Sequence, residues 1–296
     1  MVDKPAGLSS AQAVSRLKRL PGIRKIGHAG TLDPAASGVL ICPVNQATRL
    51  ARFFLEGTKT YDACMRLGIE TDTQDATGKI LSQKPLDDIS KDRIRAVCGR
   101  FVGAITQTPP IFSALKHKGK PLYSYAREGI SITKPARNVV IDHIRINDIA
   151  LPHVRFEVAC SSGTYIRTLC ADIGNILGCG GHLESLRRTA CGGFTIDDAT
   201  PLDALTAHSS LADMGKRLIP MAEALREIPL AAADAALANR IKNGKPLFAR
   251  DLGFDAGPGY GPPMVGIRDD HGRLLAVAAA DRDGCRYNYC CVFINP

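Results

Sequence analysis

Residues 28–38, HAGTLDPAASG, place a single carboxylate, Asp33, directly before a proline and between Gly30 and Gly38. A residue that precedes proline is restricted to extended backbone geometry. Glycines permit tight turning and the close approach of a second backbone. Such a constrained turn can hold Asp33 at the mouth of a cleft. Taken by itself, however, the stretch favours an Asp-Pro turn with only a structural role, since such turns are common in loops.

The size and charge of the chain limit its class. It has 296 residues, of which 45% are hydrophobic, and a net charge of +9 at pH 7. This length suits two domains, and a basic balance favours a polyanionic partner such as nucleic acid. The sequence shows neither an apolar signal segment nor an apolar run of about 18 residues that would span a bilayer. We therefore expect a cytoplasmic protein with no membrane partner.

The ten cysteines are arranged without any Cys-x-x-Cys pair. That spacing is typical of zinc sites, so the pattern predicts no metal site. In a cytoplasmic protein the thiols are expected to stay reduced, mostly as small buried apolar residues.

Hydrophobic periodicity predicts a mixture of strands and helices. Ser9 and Gln12 have the spacing of a capping box, and Pro21-Gly22 ends the helix that follows. Because strands and helices do not alternate regularly, the pattern indicates an α+β fold with a mixed, largely antiparallel sheet flanked by helices. Further helices are predicted at 47–55, 86–101, 168–177 and 231–242, and strands at 39–44, 60–67, 139–149 and 154–160.

The pattern of predicted helices and strands changes near residues 220–229, a segment that begins and ends with proline. We place a domain boundary there, so that residues 1–225 form the first domain and residues 226–296 the second. Short apolar stretches at 264–269 and 274–280 predict a small β-rich C-terminal module.

Four further segments carry residue types that suit a functional site, and together they match a known family. Residues 59–78 contain KTYDACMRLG and the acidic loop TDTQDATG, and residues 109–129 interleave basic and aromatic side chains, as a nucleic-acid surface requires. Residues 160–188 contain CSSGTYIRT and HLESLRR. With GHAGTLDPAASGVL at 27–40, these blocks resemble the TruB-type pseudouridine synthases in order and approximate spacing. The resemblance covers most of residues 3–200, and from residue 242 onward the chain more weakly resembles the family's PUA-like domain.

The resemblance implies a pseudouridine synthase catalytic domain followed by a PUA-like RNA-binding domain. It also implies isomerisation of uridine to pseudouridine at position 55 in the T-loop of tRNA. The family's catalytic aspartate lies in the GTLDP motif, which makes Asp33 the catalytic residue here. Attack at C6, attack at C1′ and a glycal route all stay open. We expect no cofactor, tRNA as the partner, no required protein partner and a monomer.

The resemblance assigns two residues directly to the chemistry around Asp33. Arg167 is the expected partner that keeps the carboxylate charged, because burial alone would raise its pKa. Tyr61 is expected to stack on the uracil and to lie near C5, where a proton must leave. Outside the motif, each would more often be a structural residue.

Three further residues are implied to shape the pocket. Leu186 is expected to pack on the side opposite Tyr61, and His28 to stabilise the state in which the base is flipped out. Tyr165 precedes Arg167 by two residues, and the two share a face if the segment is a strand.

Basic residues in two of the motifs are expected to bind the RNA backbone. Arg187 and Arg188 can instead pair with local acids, and any single charge can simply belong to a solvated face. The residues expected to contact phosphates are Lys116, Lys118, Lys120, Arg127, Arg187 and Arg188.

Three other functions compete with this interpretation. A guide-RNA-dependent relative would be expected to carry a lysine-rich tail or extended segments, and these 296 residues contain neither. A non-catalytic RNA-binding or tRNA-folding protein would not need Asp33, Tyr61 and Arg167 together. A carboxylate glycosidase would need a second carboxylate roughly 5–10 Å from the first, for which Asp72 and Asp75 are the candidates.

One departure from the family concerns the N-terminal strand. The family usually has an apolar strand before its Asp-Lys-Pro segment, whereas this sequence begins MVDKP. We therefore expect that strand to be almost absent, and either the start codon is placed late or the edge of the sheet is shortened.

Overall fold

The computed structural model describes residues 1–207, 215, 217–255 and 261–293. The chain forms two compact units that interleave along the sequence. Two short N-terminal stretches belong to the second unit, so no single boundary in the sequence divides one unit from the other. The domain boundary between residues 225 and 226 stays a prediction. The first unit comprises Met1–Arg16, His28–Cys42 and Phe53–Thr206, and the second comprises Leu17–Gly27, Pro43–Arg52 and Ala207–Pro296.

The described part of the first unit contains a nine-stranded sheet and two small hairpins. Its strands are β1 (Val2–Lys4), β2 (Ser37–Leu40), β3 (Lys59–Leu67), β4 (Ile69–Thr71), β5 (Ile80–Gln83), β6 (Gly103–Gln107), β7 (Lys116–His117), β8 (Lys120–Pro121), β9 (Arg137–Ala150), β10 (His153–Cys160), β11 (Gly181–Cys191), β12 (Phe194–Thr195) and β13 (Thr200–Pro201). The main sheet has the order β13-β1-β2-β11-β3-β10-β9-β6, with β12 paired to β11. Only β1 with β13 and β2 with β11 pair in parallel. The predicted α+β class with a largely antiparallel sheet is confirmed.

The predicted strands in the centre of this sheet are confirmed as β3, β9 and β10. The prediction at 39–44 is shifted, because β2 ends at Leu40 and the following residues make only isolated bridges. Pro43 has no backbone N–H to donate to a ladder, which accounts for the early end.

Strand β1 is short, in keeping with the sequence, and it does not form the edge of the sheet. It has only three residues, but it lies inside the sheet, with Val2 opposite Leu40 of β2 and Thr200 of β13. The parallel pairing with β13 supplies the outer neighbour, so β1 is protected on both sides.

Seven helices are present in the described residues. The capping box that predicts the first of them is confirmed, since Ser9 N donates to Gln12 Oε1 over 2.8 Å and Gln12 N donates to Ser9 Oγ over 3.2 Å. No helix among them combines the length and apolar character that a bilayer crossing requires. The helices are α1 (Ser10–Leu17), α2 (Ala51–Glu56), α3 (Lys91–Gly99), α4 (Leu122–Arg127), α5 (Ile166–Leu177), α6 (Leu202–Ala207) and α7 (Ala235–Lys242).

Two helices begin later than the periodicity predicts, because a side chain caps each of them. The helix predicted at 86–101 starts after Ser90, whose hydroxyl accepts from Arg93 N over 3.2 Å. The helix predicted at 231–242 starts after Asp234, whose carboxylate accepts from Leu237 N over 2.7 Å. Such caps satisfy donors that a helix start leaves unpaired.

Helix α5 packs on β11 and begins at the candidate site. Its fully buried positions Leu169, Ile173 and Leu177 recur at helical spacing. A Cβ atom at Gly174 would lie 2.3 Å from the carbonyl carbon of Gly180, so only glycine permits this approach. The left-handed Gly178, with φ 85°, ends the helix where the sequence predicts its end.

The second unit contains a five-stranded sheet, whose strands lie in the order Leu230–Ala232, Met264–Arg268, Leu274–Ala280, Arg286–Val292 and Leu247–Phe248. Ala231 and Ala232, predicted as the start of a helix, lie instead in the first of these strands, which pairs in parallel with Met264–Arg268. The β-rich character of the C-terminal region is therefore confirmed, while its PUA-like identity stays a prediction. The strands are β14 (Leu230–Ala232), β15 (Leu247–Phe248), β16 (Met264–Arg268), β17 (Leu274–Ala280) and β18 (Arg286–Val292).

Candidate active site

A cavity of about 430 Å³ lies in the first unit where the motifs identified in the sequence meet. The 30–33 turn, strand β3, the 161–165 loop, the start of α5 and strand β11 all contribute to its lining. Because these segments are far apart in sequence, the central sheet is what brings them together. Asp33, Tyr61, Tyr165, Arg167 and Leu186 all line the cavity.

Buried polar contacts hold the turn that carries Asp33. The fully buried ammonium of Lys4 donates to the carbonyls of Pro5, Leu8 and Ala36 at 2.8, 2.7 and 2.5 Å. On the other side, Ser10 Oγ accepts from Leu32 N over 2.8 Å and donates to Leu32 O over 3.0 Å. The Asp33 side chain itself stays 41% exposed. The hydrogen bonds of Lys4 and Ser10 therefore hold the backbone of the turn, and its carboxylate faces the cavity.

The guanidinium of Arg167 is the charged partner of Asp33. Its Nε lies 2.9 Å from Asp33 Oδ2, while its side chain is only 5% exposed. The Nε–H is not aligned with an acceptor, so this contact is an ion pair rather than a directed hydrogen bond. Its other nitrogens donate to the carbonyls of Thr73 and Phe112 at 2.9 and 2.8 Å. Two backbone acceptors thus fix the cation independently of the carboxylate that it faces.

A second carboxylate, Asp75, also lies near the guanidinium of Arg167. Its Oδ2 is 3.8 Å from Arg167 Nη1, and its Oδ1 accepts from Thr73 Oγ1 and from Thr77 N and Oγ1. The acidic loop stands out in the sequence, where Asp75 is a candidate only for a glycosidase. Its proximity to Arg167 was not predicted, because only the fold brings the two residues together.

The segment that contains Tyr165 and Arg167 is not a strand. Tyr165 is the N-cap residue of α5 and Arg167 is the second residue of the helix, so the two do not share a strand face. The buried amide of Gln107 accepts from Tyr165 N over 2.8 Å and donates to Tyr165 O over 3.0 Å. The Arg137 guanidinium lies 5.0 Å above the Tyr165 ring centre. Gln107 was not singled out from the sequence, because nothing in its local pattern signals this contact.

Tyr61 lies near the start of strand β3, as predicted, and is largely buried. Burial raises the pKa of its hydroxyl to about 12, and the neighbouring Arg188 guanidinium opposes this shift. Its hydroxyl is therefore protonated at neutral pH.

Arg188 was expected at the RNA backbone, and this expectation is wrong. The residue is 1% exposed, so it presents no surface for phosphate contacts. Its Nε donates to Val39 O over 2.7 Å and its Nη2 donates to Gly30 O over 3.1 Å. The guanidinium therefore fastens the Asp33 turn to the sheet.

Leu186 lines the cavity, whereas His28 is not among the residues that line it. Leu186 lies in strand β11, opposite Ala63 of β3, and not in a helix. His28 Nδ1 is buried without a hydrogen-bond partner in the described structure. Burial, assisted by Arg188, lowers the pKa of His28, which favours its neutral form.

The predicted RNA-binding residues other than Arg188 fall into two groups. Lys116 and Lys118 are exposed on the β7–β8 hairpin, and Arg127 is exposed on α4. Lys120 pairs with Glu128 at 2.5 Å. Arg187 pairs with Asp3 at 2.7 Å, which is the local pairing considered as its alternative.

Comparison with known proteins agrees with this geometry. The model of the TruB family pseudouridylate synthase N-terminal domain matches residues 18–166, and that of the tRNA pseudouridylate synthase B C-terminal domain matches residues 167–228. The tRNA pseudouridine synthase B of Burkholderia pseudomallei strain 668 is 46% identical over 284 residues, covering 95% of this chain and 92% of that protein. That of Syntrophus aciditrophicus is 43% identical over 244 residues, covering 82% and 78%.

The fold is shared with solved structures as well. The crystal structure of a Cbf5–Nop10–Gar1 complex contains a chain that is 26% identical, with a TM-score of 0.77, and the match covers 99% of this chain and 84% of that one. The two family models meet at residue 167, so both extend into the cavity described above. With identities above 40% over most of both chains, the chain belongs to the TruB family of pseudouridylate synthases.

Proposed function

We propose that this protein isomerises uridine to pseudouridine at position 55 in the T-loop of tRNA, with Asp33 as the catalytic residue. Family membership supports the reaction, and the names of its relatives support the tRNA substrate. The observation that carries the assignment of Asp33 is its ion pair with the buried Arg167 on the wall of a cavity of about 430 Å³.

The reaction requires no net gain or loss of atoms. The C1′–N1 bond breaks, the uracil turns, and a C1′–C5 bond forms. The proton lost from C5 is balanced by the proton gained at N1. In its carboxylate form Asp33 can act on the nucleotide without a general base, because a carboxylate nucleophile has no proton to lose. Attack at C6, attack at C1′ and a glycal route all satisfy this balance.

The remaining cavity residues are proposed to hold the base. Tyr61 offers a flat ring for stacking, and Leu186 offers an apolar surface opposite it. Since the Tyr61 hydroxyl is protonated at neutral pH, its contribution is as a ring and a hydrogen-bond donor, and not as a phenolate base. His28 is proposed to stabilise the RNA once the target base has left its stack, which costs a few kcal/mol. Tyr165 is proposed to close the end of the pocket beside Arg167.

Exposed cations are proposed to bind the tRNA backbone. Lys116 and Lys118 on the β7–β8 hairpin are exposed and can reach phosphates. Arg127 on α4 is also exposed, with its guanidinium 5.4 Å from the centre of the Tyr123 ring, whereas Lys120 would first have to leave Glu128. We propose that the enzyme acts in the cytoplasm as a monomer, without a protein partner. Relatives at 43–46% identity are named as tRNA enzymes, whereas the complex with Nop10 and Gar1 involves a chain at 26% identity.

The test is tritium release from a tRNA transcript labelled at C5 of its uridines. Wild-type protein is expected to release one tritium per tRNA, and none from a transcript with cytidine at position 55. Asp33→Asn is expected to bind tRNA without release. Asp72→Asn is the matched control, because its Oδ1 accepts only from Lys79 N, a bond that asparagine retains. Substantial release by Asp33→Asn would overturn the assignment of Asp33, and tRNA binding without release by the wild type would support an RNA-binding protein instead.

A further inference from the structure

Two stretches of the second unit are strongly basic. Residues 17–27 and 43–52 contain six lysines or arginines and no aspartate or glutamate. All six basic side chains are exposed: Lys18, Arg19, Arg24, Lys25, Arg49 and Arg52. Residues 22–25 and 45–49 enclose an open cavity of about 620 Å³, which we call the basic groove. None of its lining residues belongs to the candidate active site.

Asn45 joins the two stretches and shapes the basic groove. Its Oδ1 accepts from Arg24 N over 2.9 Å and from Lys25 N over 3.2 Å, and its Nδ2 donates to Gly22 O over 2.9 Å. Its backbone N donates to Lys25 O over 2.7 Å. Asn45 adopts φ 50°, a left-handed conformation that asparagine tolerates better than most residues. The groove is therefore formed before any ligand arrives, and its cations project from a fixed backbone.

One cation of the basic groove, Arg49, makes contacts within the protein. Arg49 Nη1 donates to Val292 O over 2.5 Å, and its guanidinium lies 5.2 Å from the ring centre of Phe293. By contrast, none of Lys18, Arg19, Arg24 and Lys25 has a carboxylate within 4.0 Å in the part of the chain that the structure describes. Among the described residues no carboxylate compensates their charges, and an anionic ligand would relieve their mutual repulsion.

The chemistry of the lining indicates which anion fits. The lining contains cations together with the amides and hydroxyl of Asn45, Gln46 and Thr48, and no aromatic side chain. Bases are bound through stacking on aromatic rings, whereas phosphates are bound by cations and small polar donors. The groove therefore suits a sugar-phosphate backbone, recognised without regard to sequence.

We propose that the basic groove binds phosphates of the tRNA backbone, at a surface separate from the cavity that receives the target uridine. This inference rests on the proposed function, because it takes tRNA as the polyanion. Two neighbouring side chains, Arg24 and Lys25, carry the free charges of the groove, and their backbone amides rather than their side chains engage Asn45. Replacing both side chains therefore leaves the groove's internal hydrogen bonds in place.

The test compares Arg24→Gln/Lys25→Gln with a control of equal charge, Lys91→Gln/Arg100→Gln, in the full-length protein. Lys91 and Arg100 are exposed at the two ends of α3 in the first unit. Dissociation constants for unmodified tRNA are measured by fluorescence anisotropy at several salt concentrations. For the groove variant we expect a roughly tenfold weaker Kd and a salt slope smaller by about 2, one unit for each lost phosphate contact. The control should bind as the wild type does.

The tRNA affinity tests the basic groove, whereas tritium release tests the proposed isomerase activity, so the two can fail independently. Wild-type affinity and salt slope in the groove variant, or an equal loss in the control, would overturn the basic groove as a binding surface while tritium release still reports on the isomerase. Loss of tRNA binding in the groove variant would support the groove even if the wild type released no tritium. Binding to phosphatidylglycerol vesicles that the groove variant loses, with tRNA affinity unchanged, would assign the groove to a membrane surface and overturn the proposal.

Discussion

The buried side-chain amide of Gln107 engages both backbone groups of Tyr165, accepting from its N–H over 2.8 Å and donating to its carbonyl over 3.0 Å. Tyr165 is the N-cap residue of α5, and no side chain caps this helix. The last residue of strand β6 thus sets where α5 begins. Because Arg167 lies in the first turn of α5, this pair also sets the position of the cation that faces Asp33.

We predict that Gln107→Leu lowers the free energy of unfolding by about 1–3 kcal/mol, because it leaves a buried N–H without a partner. Displacement of α5 should also lower the single-turnover rate while tRNA affinity is kept. Urea denaturation and rapid-quench kinetics measure the two effects. Thr106→Ala, at an exposed neighbour in the same strand, is the control. A variant that loses stability but keeps the wild-type rate would show that Gln107 has no positioning role.

We predict that Asp75→Asn lowers kcat by about ten- to a hundredfold, equivalent to about 1–3 kcal/mol in the barrier. Asparagine can keep the acceptor role toward Thr73 and Thr77, so the loop should hold. The change removes one of two negative charges beside Arg167, which should then hold Asp33 more tightly and reduce its reactivity. The measurement is kcat with saturating tRNA.

The control for Asp75→Asn is Asp72→Asn, in the same loop but without a contact to Arg167 within 4.0 Å. If both variants keep the wild-type kcat, the second carboxylate has only a structural role. A fall in stability of more than about 1 kcal/mol would point to loss of the loop rather than of the charge.

We predict a pH-dependent stability difference between the wild type and Tyr61→Phe. The folded-state pKa of Tyr61 is raised to about 12 from the unfolded value of 10.0. The folded state therefore holds the phenolic proton more tightly, and this contribution is fully present below pH 10 and is lost as the pH rises toward 12. Two pKa units correspond to about 3 kcal/mol. Urea denaturation from pH 8 to 11 should show the wild type losing more stability than Tyr61→Phe, and parallel curves would contradict the shift.

We predict that Gly174→Ala lowers the free energy of unfolding by about 1–3 kcal/mol. The added Cβ atom would lie 2.3 Å from the carbonyl carbon of Gly180, where only backbone surrounds it and no side chain can yield. Gly99→Ala, at the end of α3, meets nothing within 4 Å and should be neutral or slightly stabilising. Thermal or urea denaturation distinguishes the two variants, and equal stabilities would refute the steric argument.

Local rules account for much of the fold. The capping box of α1, the end of α5 at Gly178 and the central strands β3, β9 and β10 depend on near neighbours in sequence, and each was predicted. Two errors in secondary structure arose where one side chain changed a boundary, as Ser90 and Asp234 do at the starts of α3 and α7. Another arose where the first residues of a predicted helix instead pair with β16 as strand β14. Periodicity measures burial along a segment and is insensitive to a single cap.

By itself, the sequence determined the Asp33 turn, the chemistry of its motifs and the family to which they belong, because these depend on residues close together in the chain. Only the tertiary structure decided which further charges meet. It buried Arg188 against the turn, brought Asp75 to the same cation that pairs with Asp33 and linked Gln107 to Tyr165. These contacts join residues separated by 58 to 158 positions. They depend on strand order and register, which no local pattern encodes.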